Sequence, residues 1–201
     1  MDVADRVIAA VAPHPAVREL RLVGSRAEGR ATALSDWDFE VQTSDFGSIA
    51  DALPGLCAPL QPLAQQWDRL SAWYCWMLML RGPTKVDLIF PDQAHTDEPP
   101  WRPASDNLDA IDAHFWDWML WLKSKEVAEK MDVVGVHLQK AFDHLLAPLG
   151  AERPPSSIPD AVGVYRRARG HVEERFGRRV SRALETEVVP ALIDGSQGRG
   201  P

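Results

Sequence analysis

Residues 22–41 read LVGSRAEGRATALSDWDFEV. An alternating stretch, ELRLVG at 19–24, stops at glycine, and a second, WDFEVQ at 37–42, begins directly after Ser35-Asp36. In a strand, successive side chains point to opposite faces, so Asp36 and Asp38 share one side while Trp37, Phe39 and Val41 take the other. Two carboxylates this close repel each other unless a cation lies between them, and oxygen ligands suit Mg2+. Gly24-Ser25 falls where the first strand gives way to a short helix starting near Ser25. Glycine lets backbone approach a ligand closely, and a helix N-terminus offers free N–H groups to a phosphate. The Ser25 hydroxyl adds a hydrogen bond, Gly29 fits a close approach of the helix to the sheet, and Ser35 can hold a phosphate or orient an aspartate. Of the two arginines flanking this turn, Arg26 is the better phosphate ligand than Arg30, because it directly follows Gly-Ser. The stretch therefore predicts a phosphate cradle beside a paired-carboxylate metal site.

Outward from this pair, the spacing predicts a mixed sheet. Residues 2–12 read as a helix capped by Asp2, with Val3, Val7, Ile8 and Val11 on one face and Pro13 after its end. Residues 46–53 read as another, with Asp45 as cap and Pro54 as stop. AWYCWMLML at 72–80 and KVDLIF at 85–90 flank Arg81-Gly82-Pro83-Thr84, which is turn chemistry between two strands of a hairpin. In the second of these strands Val86, Leu88 and Phe90 share a face, and Asp87 lies on the other among apolar neighbours. A buried acid needs a partner, and a metal shared with Asp36 and Asp38 would supply one.

The proline-rich polar stretch at 91–107 reads as a linker, and beyond it the pattern turns helical. Helices are predicted near 107–130, 132–148, 158–176 and 179–193 from apolar residues at helical spacing. The division is 1–98, a sheet domain; 99–195, a helical domain; and 196–201, a disordered tail.

Gly-Ser, three residues, Gly, five residues, Ser-Asp-x-Asp, then a later strand carrying an aspartate, resembles the nucleotidyltransferases of the DNA polymerase β superfamily. The match spans roughly 24–41 and 85–90. The helical second half is similar in layout to the small aminoglycoside and lincosamide adenylyltransferases. The resemblance implies an α+β fold: a polymerase-β-like mixed sheet with flanking helices, followed by a C-terminal helical bundle. It further implies ATP and Mg2+ bound between sheet and helices, Asp36 and Asp38 holding the metals, and attack of a substrate hydroxyl on the α-phosphorus with loss of pyrophosphate. Asp87 then ligates a metal, acts as general base, or both. Enzymes of this type bring a basic residue from the helical domain to the triphosphate; Lys123, Lys125 and Lys140 are candidates, with Lys140 favoured.

Composition narrows the partners. The chain has 201 residues, 45% of them hydrophobic, and a formal charge of −7. Residues 1–100 carry 8 basic against 14 acidic side chains and the remainder 14 against 15, so the acidity collects around the opening motif. That disfavours non-specific nucleic-acid binding and suits a cationic, hydroxylated small acceptor such as an aminoglycoside. Seven arginines between Arg166 and Arg182 keep a tRNA or protein acceptor open as the alternative, beside a nucleotide-binding module without activity. Those arginines read as solvated helix faces. Asp112 and Asp117 read as a charged helix face or as ligands for substrate amines, and Glu40 as solvated or as a neighbour of the acid pair.

The tryptophan-rich run at 114–121 reads as core, with one ring free to stack on adenine or a sugar. Cys57 and Cys75 read as buried thiols of a reducing compartment. No apolar run is long enough to span a bilayer, and residues 1–12 lack a basic signal-peptide start, so the reading is cytoplasmic, with no membrane partner. Monomer and homodimer both fit.

Overall fold

The computed structural model describes residues 2–194. The tail at 196–201, expected to be disordered, lies outside the described residues. The chain divides into two compact units with the boundary between Glu98 and Pro99.

In the first unit, α1 (Val3–Val11) starts where Asp2 accepts the Asp5 N–H at 2.8 Å. It is followed by β1 (Val17–Val23), the single turn α2 (Gly24–Ala27), β2 (Trp37–Thr43), α3 (Phe46–Cys57), β3 (Ala64–Trp67), β4 (Trp73–Leu80) and β5 (Thr84–Ala94). The five strands form one mixed sheet in the order β1-β2-β5-β4-β3. Only β2 and β5 pair in parallel; β1 with β2, β5 with β4 and β4 with β3 are antiparallel. One face is apolar: Phe39 and Val41 of β2, Trp76, Leu78 and Leu80 of β4, and Val86, Leu88 and Phe90 of β5 pack with Val7 and Val11 of α1 and Ile49, Leu53 and Cys57 of α3. Strand alternation then sends Asp38 and Asp87 to the opposite face.

Three features differ from the sequence reading. α3 does not stop at Pro54 but runs through it to Cys57. Ile49, Leu53 and Cys57, one turn apart, are fully buried, and this continuous apolar stripe holds the helix together past the hydrogen bond that proline removes. β3 carries no readable signal: Ala64, Gln65, Gln66 and Trp67 show neither alternation nor branched residues, and the segment is a strand because it pairs along β4. β5 continues past Pro91 into the predicted linker. The pairing with β4 jumps from Tyr74–Phe90 to Trp73–Ala94, an irregularity that takes proline out of the ladder.

The second unit is helical: α4 (Leu108–Val127), α5 (Met131–Ala141), α6 (Ile158–Phe176) and α7 (Ala183–Asp194). α5 runs on into a wider turn at Phe142–Leu146, where the Ala147 N–H donates to the Phe142 carbonyl at 2.8 Å. Ser157 caps α6, and Gly177, with φ +61°, ends it in the left-handed region. The middle of α4, residues 111–120, is buried throughout, and the helix packs against α5, α6 and α7. α7 starts at Ala183 rather than at 179, because Glu173 holds Val180 and Arg182. The Val180 N–H donates to Glu173 Oε1 at 2.8 Å, and Arg182 donates to both oxygens of that carboxylate at 2.7 Å.

The arginine-rich stretch is solvated at Arg166, Arg167, Arg175 and Arg179, as expected, whereas Arg169 is buried. Arg166 and Arg169 pair with Glu185, and Arg179 and Arg182 with Glu173. Asp112 is likewise no surface acid. It is 2% exposed and accepts from Trp116 Nε1 (3.1 Å), the Tyr165 hydroxyl (2.6 Å) and Arg169 (3.1 Å). Burial raises the Asp112 carboxyl above its ordinary value against these bonds, and burial together with Asp112 raises the Tyr165 hydroxyl well above its own. Asp117 is buried too. The bonds to Trp116, Tyr165 and Arg169 place Asp112 in the helix core. Cys57 and Cys75 are buried free thiols, and burial pushes Cys57 up to about 12. No helix among the described residues is long and apolar enough to cross a membrane.

Candidate active site

Parallel pairing of β2 with β5 sets Asp38 directly beside Asp87, with Trp37 beside Val86 and Phe39 beside Leu88. Asp36, just before β2, joins them. One carboxylate oxygen from each of Asp36, Asp38 and Asp87 lies within 4.8 Å of the others. Asp36 and Asp87 are buried and Asp38 is half-buried. Three carboxylates at this separation form a hard, all-oxygen donor set with the chemistry that Mg2+ takes.

Gly24 makes room for the set. Its φ is +69°, and a Cβ on it would stand 2.6 Å from Asp38 Oδ2, so only glycine lets the end of β1 pass this close to the Asp38 carboxylate. α2 is a single turn, too short to sum much of a helix dipole. The shown part of Gly24 is thus clearance for a carboxylate. Ser25 follows it half-buried, its carbonyl accepting the Arg30 N–H at 2.8 Å. Gly29, expected to bring the helix close to the sheet, has nothing within 4 Å of where a Cβ would stand; it serves the turn instead, with φ +68°.

Arg26 holds the loop that presents Asp36. Its Nε donates to the Ser35 and Asp36 carbonyls at 3.0 and 3.1 Å, its Nη2 to Ser35 O at 2.6 Å, and its guanidinium lies 4.1 Å from the Trp37 ring centre. Burial lowers the Arg26 guanidinium from its ordinary value, while the charges of Asp36 and Asp38 act in the opposite direction. Ser35 closes the same loop: its Oγ accepts the Thr32 N–H at 2.9 Å. Arg30 pairs with Glu28 at the surface. Glu40, next on the acid face, pairs across the strands with Arg21 at 2.5 Å.

Lys85 is a neighbour of the acid cluster that sequence reading passes over. It is buried, and its Nζ donates to both oxygens of Asp87. The signal was available: Lys85 and Asp87 are two apart on one strand and must share a face.

The remaining lysine candidates lie in the helical unit. Lys140 is half-buried on α5. Lys123 is buried and pairs with Glu126 at 2.6 Å. Lys125 stands 4.8 Å above the Trp121 ring, which also meets His137 at 4.6 Å. Burial, and after it the charges of Lys140 and Lys125, lowers His137 below its ordinary value. Two of the tryptophans in this run have core partners: Trp116 donates to Asp112, and Trp118 stacks on His114, which accepts from Trp101.

No family model matches the sequence, and no curated protein matches it. Among solved structures, the chain is similar to the crystal structure of an aminoglycoside 6-adenyltransferase from Bacillus subtilis, at 10% sequence identity and a TM-score of 0.35, over 96% of this chain and 97% of that one.

Proposed function

We propose that this chain is an Mg2+-dependent nucleotidyltransferase that moves AMP from ATP to a hydroxyl of a small molecule, an aminoglycoside-like compound being the leading acceptor, and releases pyrophosphate. The observation that carries this reading is the meeting of Asp36, Asp38 and Asp87 within 4.8 Å beside a Gly-Ser turn whose glycine yields its Cβ space to Asp38.

Asp36 and Asp38 would hold the divalent cation, and Asp87 would complete the ligand set, accept the proton of the attacking hydroxyl, or both. When bound, the cation neutralises the triphosphate and offsets charge on the entering and leaving oxygens. The protein's share is positioning. Arg26 and Ser35 fix the loop that carries Asp36, and the β2–β5 pairing fixes Asp38 against Asp87. The hydroxyl oxygen bonds to the α-phosphorus as its proton passes to the Asp87 carboxylate, the bond from that phosphorus to the oxygen bridging to the β-phosphate breaks, and pyrophosphate departs with those electrons. Ser25 and Lys140 remain proposed phosphate ligands. The acidity of residues 1–100 supports a cationic acceptor.

ATP labelled at the α-phosphate tests this directly. Incubated with Mg2+ and a panel of aminoglycosides and lincosamides, the protein is expected to yield one labelled small product, and Asp38→Ala to yield none. Label appearing only on added tRNA or protein would overturn the small-acceptor reading while keeping the chemistry.

A further inference from the structure

Three carboxylates gathered on one sheet face carry like charges that push one another apart. Lys85 leaves the same face of β5 two residues before Asp87, and its ammonium engages both Asp87 oxygens. Lysine is flexible and prefers water, yet here it is 6% exposed and turned onto the acid cluster. With both oxygens of Asp87 bonded to the ammonium, a divalent cation that takes Asp87 as a ligand must share that carboxylate with a second positive charge.

We infer that Lys85 is a built-in counter-cation of the cluster: it holds Asp87 in place beside Asp38 and competes with the divalent ion for the Asp87 carboxylate. This rests on the metal-binding reading above. Lys85 is a positioning residue. It keeps the third carboxylate aligned before metal arrives, and it sets a weak affinity for the bare ion. Removing one partner of a buried pair leaves the other charge uncompensated, so a variant without the ammonium needs another cation at Asp87.

The test is calorimetric titration of Mn2+ alone into the full chain, together with thermal unfolding in EDTA. Lys85→Met keeps an unbranched stem of nearly the same length and removes the charge. It is expected to bind Mn2+ about tenfold more tightly than the original protein, the scale of one partly screened charge–charge contact. Its unfolding temperature in EDTA should drop and recover when Mn2+ is added, which a merely structural role would not produce. Equal or weaker Mn2+ binding by Lys85→Met, with binding still abolished by Asp38→Asn, overturns the role of Lys85 and leaves the metal site standing. Absence of Mn2+ binding in the original protein and in Lys85→Met alike overturns the metal site and the role of Lys85 together. Should Lys85→Met not fold with or without Mn2+, Lys85→Gln, which keeps a hydrogen-bond donor for Asp87, carries the same comparison.

Discussion

At Gly24 two constraints coincide: a backbone angle in the left-handed region and the approach of Asp38 Oδ2 to 2.6 Å from where a Cβ would stand. Gly24→Ala must therefore strain the turn and displace the carboxylate. The strain is on the order of 1–3 kcal/mol, whereas a ligand moved by about an ångström can cost on the order of a hundredfold in rate. We expect turnover to fall by about that factor while the protein still folds, as measured by pyrophosphate release beside a thermal melt. Unchanged turnover would mean that the Asp38 carboxylate has no part in the chemistry. The three aspartates were legible in the sequence because strand alternation dictates which side chains share a face. The clearance role of Gly24 was not, since it depends on how closely β1 passes Asp38 in space. The same holds for Arg26, whose partners are backbone carbonyls that carry no residue signature. Lys85 was legible by the alternation rule that located Asp87, and was obscured by its place directly after the Arg81-Gly82-Pro83-Thr84 turn, where a lysine ordinarily meets water.

At the level of elements, helices with clean apolar stripes were legible to within a few residues, and the errors lie where a side chain from elsewhere intervenes. The start of α7 is the clearest case, because Glu173 captures the residues before it. That capture has a pH signature. The hydrogen bonds from Arg182 hold the Glu173 carboxyl down at about 2, against burial, which pushes it up; the Val180 N–H adds to the lowering. In the unfolded chain glutamate protonates near 4.5. The stabilisation is thus complete above about pH 4.5 and is lost as pH falls from there through about 2, an effect of about 3 kcal/mol. Glu173→Gln should be less stable than the original protein at neutral pH, and its stability should fall less steeply across that acid window. Denaturant unfolding at several pH values reads both. Equal slopes in the two proteins would show that Glu173 is not the group responsible. β3 and the extension of β5 past Pro91 belong to this scale too: one is a strand only through its neighbour, the other only through a bulge.

For the whole molecule, the α+β class was legible from alternating stretches in the first half and helical spacing in the second. Strand order was not. Local patterning does not say that β5 lies between β2 and β4, and it is this parallel insertion that brings Asp87 to Asp38 from a distant part of the chain. The function proposed here depends on that meeting. The most direct test is pyrophosphate release from Mg-ATP in the presence of the acceptor panel, compared among the original protein, Asp36→Ala, Asp38→Ala and Asp87→Ala. We predict acceptor-dependent release that EDTA abolishes and that each of the three variants lowers by a hundredfold or more, about the scale for a group acting at the reacting centre. Release that survives in all three variants would contradict the assignment of this carboxylate cluster as the site of nucleotidyl transfer.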